Sequence, residues 1–115
     1  MHAFKRFKSE LARQGKSAAT RRGYLSDLRD FAAWVAQTYG ETFDPRRLVR
    51  EDVRAYRSHL LTIKRQKPAT INRKLASLGS FCRWAVAEGL LESDPAAGVE
   101  GVSQVQPPPR ALDKA

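Results

Sequence analysis

The stretch that most constrains this chain is Lys67–Ala87, KPATINRKLASLGSFCRWAVA. Pro68 suits the first position of a helix, where its missing N–H is no loss. Ile71, Leu75, Leu78, Cys82, Ala85 and Val86 then recur at intervals of three and four, the period of one buried helix face. Thr70, Arg73, Lys74 and Ser77 fall on a neighbouring stripe. One helix with an apolar face and a basic, hydrogen-bonding flank needs other helices to cover the first. The rest of the chain supplies them, and nowhere does it show the alternation of half-buried strands. The expected fold is all-α: a compact bundle of four main helices, a short C-terminal turn and a Pro-rich linker.

The other helices follow in order. Residues 2–14 carry Phe4, Phe7 and Leu11 as a narrow apolar stripe, stopped by Gly15. Two phenylalanines on so short a helix dock either on the body of the domain or on a partner. Ser17 is an N-cap for a second helix over 18–39, with Tyr24, Leu28, Phe31 and Val35 on its core line, Leu25 and Ala32 beside it, and Gly40 closing it. Towards its start the core line turns polar, at Ser17, Thr20 and Arg21, so that end is expected to project past the core. Asp44-Pro45 marks a turn, after which Leu48 and Val49 tuck the connection onto the core. A third helix is expected over 51–66, its positive end matched by Glu51 and Asp52 and its buried face made of Val53, Tyr56, Leu60 and Ile63. Arg50, Arg54, Arg57, Lys64 and Arg65 form a basic ridge that is either a solvated face or a support for a polyanion. The fourth helix, 68–88, ends at Gly89. Residues 92–99 read as a turn with about one helical turn. From Gly101 the sequence VSQVQPPPRALDKA reads as an extended linker, giving a domain over 1–100 and a linker over 101–115.

The 115 residues amount to about one domain, and their formal net charge is +9. Residues 1–74 hold 18 of the 21 Lys and Arg but 7 of the 12 Asp and Glu. That concentration points to a polyanionic partner, and a basic helix of this kind fits the major groove of DNA. The single Cys82 sits on an apolar line and reads as a core residue. His2 and His59 are isolated, so no metal is expected. No Gly-rich phosphate loop, nucleophile elbow or paired carboxylate appears, so no catalytic residue, no cofactor and no small-molecule ligand are expected. Without a signal peptide or an apolar run of spanning length, the chain reads as cytoplasmic, with no membrane partner.

Binding chemistry remains. Arg73 and Lys74 can neutralise phosphates, and Arg73 can also grip guanine. Thr70 and Ser77 can donate to phosphate oxygens. Thr70 can equally cap its own helix, and Asn72 lies on the other flank. The second helix offers Lys16, Ser17, Thr20 and Arg21 at its start, an echo of Lys67 and Thr70 in the fourth.

These residues, in this order, resemble the N-terminal core-binding domain of tyrosine recombinases, the SAM-like domain of the phage integrase and Xer-type group. The matching pieces are Ser17-x-x-Thr20-x-x-x-Tyr24-x-x-x-Leu28-x-x-Phe31, Glu51-Asp52-Val53-x-x-Tyr56, Ala69-Thr70-Ile71-Asn72-Arg73-Lys74-Leu75-Ala76-Ser77-Leu78-x-x-Phe81 with Trp84 and Ala85, Asp94-Pro95-Ala96-x-x-Val99, and Pro109-Arg110-Ala111-Leu112. Val49-Arg50 departs from the Thr or Ser cap common before the third helix. The resemblance implies a half-clamp on double-stranded DNA at a recombination site, working with a C-terminal catalytic domain and with other recombinase protomers in a synaptic complex. It implies DNA contact at Lys16, Ser17, Thr20, Arg21, Lys67, Thr70, Arg73, Lys74 and Ser77, and a protomer contact for the first helix. It implies no catalytic residue in this chain. Two other readings stay open: a helical adaptor for an acidic protein, and a stand-alone DNA-binding regulator.

Overall fold

The computed structural model describes residues 2–103, which fold as helices without a strand among them. Helix α1 spans His2–Arg13, α2 spans Ala18–Tyr39, α3 spans Arg50–Ser58 and α4 spans Pro68–Ala87. A 3-10 turn at Pro45–Arg47 precedes α3, and a π-helical turn at His59–Ile63 follows it. Among the described residues no helix is long and apolar enough to cross a membrane. The linker motif Pro109-Arg110-Ala111-Leu112 lies outside the described residues.

The helix limits follow the caps. Ser17 accepts a hydrogen bond from the Thr20 N–H and starts α2. Gly15, at φ +82°, takes the left-handed conformation that lets α1 stop and the chain turn into α2 within four residues. Asp44 accepts from the Arg46 N–H and sets the 3-10 turn. Before α3, Val49 has no side chain that can cap. Asp52 accepts from the Val49 N–H at 3.1 Å, and Tyr39 donates to the same carboxylate at 2.9 Å. Half of a capping box, braced by a tyrosine, replaces the missing hydroxyl.

An aromatic cluster holds the bundle together. Phe7 lies 5.5 Å from Phe81, edge to face, and 5.5 Å from Trp84. Phe4 lies 5.3 Å from Phe81 and 6.0 Å from Phe43. Phe31 continues the chain of rings to Phe43 and Tyr56. Edge-to-face pairs at these separations add to the gain from burial. Phe4 and Phe7 are buried, so α1 docks on its own domain and not through these rings on another molecule. Arg6 completes the docking, stacked over Trp84 at 5.4 Å and paired with Glu88 at 2.6 Å. Cys82 is fully buried, and burial pushes its thiol up to about 12.

Three expectations fail here. The third helix stops being α-helical at Ser58, not 66, and Ile63 is 69% exposed rather than buried. The π turn adds a residue to the helical circuit, which rotates Ile63 off the line of Val53, Tyr56 and Leu60. Val49 is also exposed, while its neighbour Leu48 is buried as expected.

Phe7→Ala should destabilise the domain by about 3–5 kcal/mol in a denaturant titration, the usual penalty for emptying an aromatic core site. A loss under about 1 kcal/mol would mean that α1 is not part of the core.

Candidate nucleic-acid interface

On α2 the core line Tyr24, Leu28, Phe31 passes through a carboxylate, Asp27, which is only 4% exposed. A buried carboxylate needs donors, and α4 supplies them. Ser77 donates to Asp27 Oδ2 at 2.8 Å. Arg73 donates from Nη2 to Oδ1 at 2.8 Å and from Nε to Oδ2 at 3.2 Å. The guanidinium thus grips Asp27 with two parallel bonds, the strong fork geometry. The hydrogen bond and charge of Asp27 push the Arg73 pKa further up. One turn on, Lys74 reaches Asp30 at 3.5 Å. Burial first, then the carboxylates Asp30 and Asp27, push the phenol of Tyr56 up as well.

This arrangement sorts the expected contact residues. Ser77 is 1% exposed and Lys74 8% exposed, so both belong to the helix interface and not to an open stripe. The buried face of α4 is turned by roughly 60° from the line of its aliphatic residues towards Phe81, at 100° per residue. Leu75 and Val86 are correspondingly only half-buried. Arg73 stays 61% exposed in its side chain while anchored at Asp27. Of its five N–H donors two are spent on Asp27, which leaves three for an external acceptor.

The start of α4 is open. Its first turn has no side-chain cap, so Thr70 does not serve as one. Lys67 is exposed, Thr70 is half-exposed, and Lys64 and Arg65 next to them are exposed. Arg65 sits at φ +52°, an uncommon conformation for a residue with a side chain, and turns the chain sharply into Pro68. At the start of α2, Ser17 donates to Thr20 Oγ1 at 2.9 Å as well as capping the helix, and Arg21 donates to the Lys16 carbonyl at 2.6 Å. Thr20 keeps its own O–H to donate. Lys16, Ser17 and Thr20 are exposed, and Arg21 is half-exposed.

The structure therefore forms two groups: Lys16, Ser17, Thr20 and Arg21 at the start of α2, and Lys67, Thr70 and Arg73 at the start of α4. No hydrogen bond or ion pair joins them among the described residues. Asp27 relates them instead. Thr20 stands seven residues before Asp27, on the same stripe of α2 and about 10 Å along the axis. Arg73, held on Asp27, shares that stripe.

The sequence matches the phage integrase N-terminal SAM-like domain over residues 4–89. The chain belongs to that family. It is 33% identical over 111 residues to the tyrosine recombinase XerC of Neisseria meningitidis serogroup C, covering 95% of this chain and 36% of the relative. With XerC of Corynebacterium efficiens it shares 35% identity over 98 residues, 85% of this chain and 29% of the relative. With the TnP I resolvase of Bacillus thuringiensis it shares 29% over 89 residues, 77% and 31%. The chain spans about a third of the length of these relatives, in their N-terminal part. No solved structure matches it. The SAM-like domain of this chain thus carries an α2–α4 latch whose central residue, Asp27, was absent from the sequence-derived site. Its signal was there to find: a carboxylate on a core line demands a donor from the facing helix.

Asp27→Ala leaves the buried Ser77 hydroxyl without its partner and should cost about 1–3 kcal/mol in chemical denaturation. Lys74→Met, which keeps the volume and removes a desolvated charge, should leave stability unchanged or higher. A loss above about 2 kcal/mol for Lys74→Met would contradict the weak Lys74–Asp30 coupling read from the 3.5 Å separation.

Proposed function

We propose that this domain is the DNA-gripping N-terminal half of a site-specific tyrosine recombinase, holding duplex DNA through the starts of α2 and α4. The observation that carries the reading is Arg73: a guanidinium fixed by two bonds to a buried carboxylate, yet mostly exposed and with donors to spare. A cation oriented in advance loses little side-chain freedom when it meets a phosphate. Around it stand Thr70 and Lys67 at an uncapped helix start, a setting that favours anions. Lys16, Ser17, Thr20 and Arg21 add a second set of donors. Lys74 and Ser77 serve the grip from inside, through the latch. Family membership supports a recombination role.

In this reading the domain contributes affinity and register, since phosphate contacts carry no sequence information. Strand cleavage and joining, and association with other protomers, are assigned to the whole recombinase: about two-thirds of the XerC relative's length lies outside the match. Arg50 and Arg54, the exposed α3 residues of the basic ridge, give the adaptor reading its best support, as a surface for an acidic protein.

Duplex DNA should bind with an affinity that falls steeply with salt. About 4–6 phosphate contacts give a slope of about −4 to −5 in log K against log salt. Arg73→Ala and Lys67→Ala should each flatten the slope by about one, and Arg83→Ala should not change it. A slope near zero, or equal effects from all three substitutions, would sink the proposal in favour of a protein partner.

A further inference from the structure

After α4 the chain does not leave the domain at the nearest end. Leu91 is buried, and the Leu90 N–H bonds the Ala85 carbonyl, so the chain reverses at Gly89. Asp94 accepts from the Ala96 N–H, and a tight turn follows. Residues 94–101 then run back along α4, where Asn72, Ala76, Gly79 and Arg83 line a shallow groove against them. From Ala87 to Asn72 that return covers about 22 Å of helix.

At the end of the return the backbone is held by two side chains. Asn72 Nδ2 donates to the Val102 carbonyl at 2.8 Å, and the Val102 N–H donates to Asn72 Oδ1 at 2.7 Å. Such a two-way amide bond reads backbone like a strand neighbour and tolerates neither Asp nor Leu in its place. From α3, Arg57 donates to the Glu100 carbonyl at 2.7 Å and to the Gly101 carbonyl at 3.3 Å. Gly101 fits between them because it lacks a side chain: a Cβ there would stand 2.6 Å from Asn72 Oδ1. Three residues of backbone are thus fixed by two helices, and Asn72 is the immediate neighbour of Arg73.

We propose that Arg57 and Asn72 are positioning residues that fix where the chain departs, beside the DNA-facing start of α4, so that whatever follows Ser103 begins at the grip. The functional half of this rests on the DNA-gripping reading. A partner segment tethered at the grip meets the same DNA at high effective concentration. One tethered at Ala87 would first have to cross the length of α4.

The test uses amide hydrogen exchange on the 115-residue chain, followed by duplex titration. In the wild type the Val102 N–H should be protected. Asn72→Ala should speed its exchange by about tenfold or more, the loss of one paired hydrogen bond. Gly101→Ala should do the same by displacing Asn72, while the Leu28 amide stays slow in both and shows that the fold survives. Asn72→Ala should bind duplex within about twofold of wild type, where Arg73→Ala loses about tenfold. A Val102 amide that exchanges freely in the wild type, or is unmoved by Asn72→Ala, overturns the staple. A loss of DNA affinity in Asn72→Ala as large as in Arg73→Ala makes Asn72 a contact and overturns the positioning role. No duplex binding by any variant, with Val102 protected, overturns the gripping reading and the functional half of the proposal, and leaves the staple standing.

Discussion

The bundle turns on one carboxylate. Asp27 is buried where α2 meets α4, and burying a charge is tolerable only with donors placed to meet it. Ser77 meets it from inside and Arg73 from the rim. Apolar side chains alone would let α4 slide or roll against α2 at little penalty, since hydrophobic contact is not directional. A two-bond fork with a third bond beside it has one satisfactory register. It also leaves Arg73 half outside, a cation held in place by the core. The same interaction that aligns the helices therefore aligns the group assigned to DNA.

The aromatic cluster serves that latch. Phe7 and Phe4 of α1 press on Phe81, which lies one turn beyond Ser77 on the same side of α4. Phe31, one turn beyond Asp27 on α2, packs on Tyr56 of α3. Asp27 is almost wholly shielded from water, which strengthens its bonds and raises the penalty for breaking them. The third helix, shortened by its π turn, contributes Tyr56 to this wall and Arg57 to the exit of the chain. The helices α2, α3 and α4 thus each have one side in the core and at least one residue at a polar junction.

Most of the fold was legible in the sequence because caps and periods are local signals. Ser17, Gly15, Gly40 and Pro68 place the ends of α1, α2 and α4 within about a residue. The family was legible for the same reason, from ordered spacings. What escaped depended on contacts between helices. The aliphatic residues of α4 alone centre its buried face between Ile71 and Cys82 and put Ser77 and Lys74 outside it. Phe81 reads as a packing residue from its apolar character, and Asp27, as a demand for donors, turns the face the rest of the way towards Ser77. Ile63 was lost to a π turn, whose extra residue no period announces. The hold of Asn72 on Val102 joins residues thirty apart, and nothing in either neighbourhood points to the other.

The most direct measurement is a backbone amide chemical-shift map of the domain titrated with duplex DNA at low salt. Shifts should concentrate at 16–22 and 67–73, with Asp27 and Ser77 following through the latch and α1 unchanged. Shifts confined to Arg50 and Arg54 of the α3 ridge, or none at any DNA concentration, would contradict that grip.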